Sequence, residues 1–89
     1  MTEQEFRKMM AEHGVETIVE VEREANGSLD THTHPFEANA LILDGEITLV
    51  AEGKTIHCKA GDTFRLGANI PHTEQYGPQG VRYLAGRKS

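Results

Sequence analysis

Two periods divide the chain. Phe6, Met9, Met10 and His13 fall at i, i+3, i+4 and i+7, one face of a 3.6-residue repeat. Thr2 and Glu5 make a capping-box pattern ahead of it, each able to satisfy a backbone N–H at a helix start, and Gly14 supplies the stop. The segment is predicted to be a short helix whose Met/Phe stripe is packing surface, serving as a lid or a dimer contact outside the main fold. From Val15 the period becomes two. Val15, Thr17, Val19 and Val21 alternate with mostly charged neighbours, as in a half-buried strand. Ala25-Asn26-Gly27 signals a turn, and a second strand-like stretch surrounds His32 and His34. Ala38–Leu43 is apolar almost throughout and reaches Asp44-Gly45, a hairpin signal from which Glu46–Ala51 is expected to return. Glu52-Gly53 and Ala60-Gly61 bracket Lys54–Lys59. Asp62–Leu66, Thr73–Tyr76 and Val81–Ala85 complete the strands, separated by Gly67-Ala68-Asn69 and Gly77-Pro78. Short strands at this spacing predict an all-β sandwich or barrel. The organisation is a helix over 1–14 and a single β domain over 15–89, without long linker, low-complexity tract or internal repeat.

Size and charge narrow the possibilities. A domain of 89 residues buries only about 60% of the surface its unfolded chain exposes, so a bound metal or a partner subunit would add useful stability. The net charge of −5 is uneven: eight Asp/Glu against three Lys/Arg in residues 1–30, then six against six. An acidic first third repels phosphate backbones and anionic lipid, making nucleic acid and membrane surfaces poor partners. A solvated helix and an outer strand face account for the same charges. No apolar run approaches a spanning helix, and neither a signal h-region nor a basic transit segment is present. The lone Cys58 cannot form an internal disulfide. A reducing, cytoplasmic setting is the expectation.

The chemistry centres on His32-Thr33-His34. Residues i and i+2 of a strand face the same side, so both imidazoles project into one space. Imidazole is a common ligand for transition metals, and two rings on one strand need a third ligand from elsewhere. His72, in Ile70-Pro71-His72-Thr73, is the best candidate. Taken alone, His-x-His reads equally as a pair of exposed strand histidines. Alternation from His72 places Glu74 and Tyr76 on its face. Glu74 lining a metal cavity could be a ligand, a partner fixing a histidine tautomer, or a general base, and these two are the candidate catalytic residues. The alternative for Glu74 is a solvent-facing rim. His13, on the Met face of the helix, and His57, on a strand without a motif, are expected to pack or to face solvent. His57 and Cys58 are neighbours and should face opposite sides of their strand.

These residues, in this order, resemble the two signature motifs of the cupin superfamily, in particular a small single-domain cupin-2-like protein. The first motif opens with a glycine, passes through His-x-His and a glutamate, and closes on a glycine. Gly27, His32-Thr33-His34-Pro35 and Gly45 fit it, with one residue fewer between Gly27 and His32. The second motif carries a histidine after a Gly/Pro-rich turn, matched by Gly61-Asp62, Ile70-Pro71 and His72. Gly67 stands in place of the family's Pro, Asn69 of its second Gly and Tyr76 of its Asn. Together the motifs run from Gly27 to Tyr76. Counting back from Gly45, the family's glutamate falls on Ala38, and Glu37 is one residue early. In a regular strand that offset turns a side chain to the opposite face, whereas a bulge or loop after Pro35 would restore it. Glu37 therefore stands as a fourth metal ligand, with an exposed loop carboxylate as its alternative.

The resemblance implies a double-stranded β-helix, or jelly-roll, barrel holding one divalent transition metal (iron, manganese, nickel, zinc or copper). It allows two functions. One is a metal-dependent enzyme on a small molecule, of oxygenase or isomerase type, using the open positions that three histidines leave. The other is a non-catalytic binding or sensing module in which the metal is structural or anchors a ligand. A third reading, an interaction domain working through its outer surface, leaves three converging imidazoles without a purpose. A homodimer is expected, because a strand or helix left open by so short a chain is readily covered by a second copy.

Overall fold

The computed structural model describes residues 1–15 and 17–88. Glu16, inside the predicted first strand, and Ser89, at the end of the predicted domain, lie outside the described residues. Among the described residues one helix, α1 (Glu3–Glu12), precedes six strands: β1 (Thr17–Arg23), β2 (Ser28–His32), β3 (Glu37–Ala51), β4 (Lys54–Lys59), β5 (Thr63–Leu66) and β6 (His72–Lys88). The capping box forms as read: the Thr2 side chain accepts from the Glu5 N–H at 3.1 Å, and the Glu5 carboxylate accepts from the Thr2 N–H at 2.9 Å.

All strand pairings are antiparallel. The two long strands, β3 and β6, pair along most of their length and organise everything else. The first part of β3 lies between β5 and the second part of β6, which in turn pairs with β1. The second part of β3 lies between β4 and the first part of β6, which in turn pairs with β2. Two half-sheets thus share the same two central strands and fold over one another at a line where both strands bulge. There the β3–β6 register shifts between Ile42 and Asp44 and again between Gly45 and Ile47.

The bulges also decide which side chains face inward. On β3 the inner face passes from Ala40 and Ile42 to Ile47 and Leu49, and on β6 from Tyr76 to Val81 and Tyr83. These join Cys58 in one buried cluster. Each strand reverses its parity at the fold line, as an irregular insertion into a two-residue period must. The outer face of the first half-sheet presents Leu41 and Leu84, and α1 covers them with Phe6 and Met10, joined by Val15, in a second cluster. The helix is a lid on the sheet of its own chain, and His13, at the end of its stripe, is exposed.

Two predicted breaks do not occur. Asp44-Gly45 is not a hairpin: β3 runs through it. Only Gly45 there has a positive φ (75°), and a Cβ at that position would overlap the Gly80 carbonyl group, so the glycine serves a bulge packed against β6. The tight turn is instead Glu52-Gly53, both with positive φ (52° and 74°), the mark of a two-residue type I′ connection between the paired Ala51 and Lys54. Likewise Gly77-Pro78 does not divide two strands but lies in a wide bulge of β6, where residues 77–80 stand between the pairs Tyr76↔Ile47 and Val81↔Gly45.

Candidate metal centre

The site grows out of the pairing of β2 with β6. His32, the last residue of β2, is the direct partner of His72, the first residue of β6. Opposite residues share a face, and the two rings stand 4.2 Å apart between centroids. The register shift between Leu29 and His32 keeps His32 on the inner side although Leu29, three positions earlier, also pairs inward with Glu74. His34 lies beyond the end of β2, not on the same strand as the sequence reading had it. Its carbonyl accepts the Asn69 N–H at 2.7 Å, which ties this connection to the turn before His72. The His34 ring is 5.0 Å from His32 and 5.2 Å from His72, with Phe36 stacked on it at 5.0 Å. Glu74 follows His72 by two and shares its face.

Hydrogen bonds define what these groups offer. His32 Nδ1 lies 2.7 Å from the Asp30 carbonyl oxygen, and His72 Nδ1 lies 2.9 Å from that of Ile70. A carbonyl only accepts, so each Nδ1 carries the proton and, in a neutral ring, each Nε2 presents a bare lone pair. Both lone pairs point at one oxygen: Glu74 Oε2 is 3.0 Å from His32 Nε2 and 3.4 Å from His72 Nε2. The other carboxylate oxygen, Oε1, accepts from the Tyr76 hydroxyl at 3.1 Å. The side chains of His72 and Glu74 are 2% and 8% exposed, against 25% for His32, so two of the three acceptors have little water to relieve their confrontation. A proton or a cation between them does so. One ligand atom from each of His32, His34, His72 and Glu74 can be chosen so that all lie within 4.8 Å of one another. Three borderline-soft nitrogens and a carboxylate fit a divalent transition metal. Burial, with the neighbouring His32 and His72, holds the His34 pKa below the usual histidine range against the pull of Glu74, which keeps its ring in the neutral, ligating form. Burial and the adjacent Glu74 charge push Tyr76 up to about 12, so it remains a hydrogen-bond donor to the carboxylate.

Glu37 is placed elsewhere. The first part of β3 is regular from Glu37 to Ile42, so no bulge restores the one-residue offset. Its carboxylate accepts from the Asn39 amide at 3.3 Å and lies 3.9 Å from Arg65, in a depression between α1 and the sheet. It is not among the four converging groups. His57 is on an outer surface, its Nδ1 2.9 Å from the Thr48 hydroxyl, while Cys58 is buried on the opposite side of β4, where burial raises its thiol pKa.

Beside the four groups opens a cavity of ≈ 160 Å³ between the half-sheets, walled by Val21, Leu29, Phe36, Phe64, Leu66 and Tyr83 among others. Arg23 and Arg87 also reach it. Sequence reasoning did not single out these arginines. The inward alternation Val81, Tyr83, Ala85, Arg87 could have found the second, and the end of the Val19, Val21, Arg23 series the first.

Residues 18–79 match the family profile described as a cupin domain. No curated protein matches the chain. Among solved structures, a conserved protein of unknown function from Streptococcus pyogenes superposes with a TM-score of 0.71 at 22% identity, over 81% of this chain and 62% of that one. The DMSP lyase DddQ of Ruegeria pomeroyi DSS-3 gives 0.73 at 23%, over 81% of this chain and 37% of that one. The polyketide cyclase RemF of Streptomyces resistomycificus gives 0.69 at 28%, over 81% and 53%. This chain spans less than two thirds of each of these proteins. The profile match takes in β2 to β5, the first part of β6 and all four converging groups, and with the fold it establishes that the chain belongs to the cupin family.

Proposed function

We propose that the chain binds one divalent transition metal through His32, His34 and His72, with Glu74 in place of Glu37 as the fourth donor, and works on a small molecule held in the adjoining cavity. The observation that carries this reading is the set of proton positions. Both Nδ1 atoms are committed to carbonyls two residues back, and both Nε2 lone pairs meet a buried carboxylate oxygen. Bound there, the metal would supply Lewis-acid chemistry or, if redox-active, oxidative chemistry at its open positions.

The chain's own residues have separate tasks. The Asp30 and Ile70 carbonyls orient two ligand rings. Tyr76 is a positioning residue: its hydroxyl holds Glu74 Oε1 so that Oε2 faces the imidazoles. Among the described residues, Glu74 is also the one carboxylate lining the cavity, placed to take a proton from a bound molecule. The apolar wall limits water around that exchange. A largely apolar cavity beside the donors supports a catalytic site over a purely structural metal, which needs no cavity.

Elemental analysis of untagged protein tests the binding step. Near one metal per chain is expected, falling to background in His32→Ala and in Glu74→Ala, and unchanged in Glu37→Ala. No metal in the native protein after incubation with several divalent ions would remove this reading and move the function to the outer surface.

A further inference from the structure

Besides its donors and Asn39, the cavity wall carries two guanidinium groups, and Arg87 is the one stacked on an aromatic ring beside a donor. It extends the inward series of β6, and its guanidinium carbon sits 5.0 Å over the Phe36 ring, which stacks 5.0 Å from the His34 ring. Two short steps therefore lead from a ligand imidazole to a planar cation on the cavity wall. Among the described residues, Arg7, Arg65 and Arg82 have carboxylate partners on the outside, at 3.0, 3.9 and 3.1 Å, Arg23 donates to the Glu22 carbonyl at 3.3 Å, and Arg87 has neither kind of partner. A guanidinium held against an aromatic face keeps its N–H fork free for a planar anion, and a carboxylate matches that fork with two parallel hydrogen bonds. The room beside it is matched by a known case: an apolar cavity of about 150 Å³ holds a benzene ring, against ≈ 160 Å³ here.

We propose that the molecule bound in this cavity is a small organic carboxylate with an apolar body about the size of a benzene ring, its carboxylate clasped by Arg87 and its body lying along Leu29, Phe64 and Tyr83 beside the metal donors. The proposal deepens the reading of His32, His34, His72 and Glu74 as the working centre and rests on it for which end of the molecule would react. The Arg87 contact itself needs no metal.

Benzoate and its neutral counterpart benzamide are the probes, titrated calorimetrically into the full chain, both metal-loaded and chelator-treated. Benzoate is expected to bind in both forms, with benzamide weaker by about tenfold or more, the scale of a charge-assisted bidentate contact. Arg87→Gln should erase that difference by weakening benzoate alone, Arg87→Lys should restore part of it, and Arg65→Gln, an outward arginine, should change nothing. Metal content should stay at the native level in all three variants. Absence of benzoate binding, equal affinity for the two probes, or full benzoate affinity in Arg87→Gln would each overturn the proposal. The last would place the carboxylate on the metal. Failure of the protein to load metal would instead defeat the proposed metal function, and the chelator-treated titrations would still decide the role of Arg87.

Discussion

Glu74 has opposite effects in the two states of the site. With metal it is a ligand, and without metal its charge faces two lone pairs. Replacing it with glutamine exchanges an acceptor for an amide that can donate to one imidazole nitrogen. Glu74→Gln should therefore melt no lower than the native protein when both are metal-free at pH 8, while retaining less metal by elemental analysis. A lower melting point for the metal-free variant would show that the carboxylate is stabilising in its own right. The chain's two tyrosines make a second residue-scale prediction. Burial pushes Tyr83, like Tyr76, up to about 12, whereas tyrosines in the unfolded chain ionise near 10. Between these values the unfolded state binds fewer protons than the native one, so stability is intact below about pH 10 and falls as pH rises toward about 12. An alkaline titration followed by tyrosinate absorbance should show a midpoint well above that in denaturant. Coincident midpoints would contradict the burial of both rings.

At the scale of elements, the fold line carries the larger energies. Gly45→Ala would force a Cβ into the Gly80 carbonyl and a left-handed φ onto alanine, and is expected to cost at least about 2 kcal/mol in denaturant unfolding. Gly53→Ala, also at positive φ but with nothing within 4 Å of the added atom, should cost about 1 kcal/mol. Equal costs would mean that the Gly45–Gly80 approach does not constrain the bulge. The same pair of glycines shows what could be read from the sequence. Asp44-Gly45 and Glu52-Gly53 look alike as dipeptides, and local preference favours a hairpin at both. Only at the second do the flanking residues pair with each other. At the first, β3 continues because β6 lies alongside throughout, a long-range partner that no local window contains. The helix cap, the Lys54–Lys59 strand and the convergence of His32, His34 and His72 were legible because each follows from nearby spacing or from matched motifs. The placement of Glu37 turned on whether a bulge or loop after Pro35 restored its face, and the regular pairing of β3 from Glu37 onward leaves it apart from the four converging groups.

At the scale of the molecule, metal and subunit association are the two sources of stability beyond a thin core. Metal at one hundred times its dissociation constant should add about 2.7 kcal/mol, seen as a higher melting temperature than that of chelator-treated protein. The double variant His34→Ala/His72→Ala should lose that increment. The homodimer expected from the sequence is checked by light scattering on eluted protein, where a mass of one chain at micromolar concentration would rule it out. No helix among the described residues is long and apolar enough to cross a membrane. The placement of β6 has a consequence for how the molecule is made. Among the described residues it is the only pairing partner of both β1 and β2, and it also runs along β3. During synthesis, β1 and β2 therefore emerge from the ribosome with their edges open and stay so until residues 72–88 follow. Folding of the two half-sheets has to wait for β6, and in that interval the nascent strands are what a chaperone would find to hold.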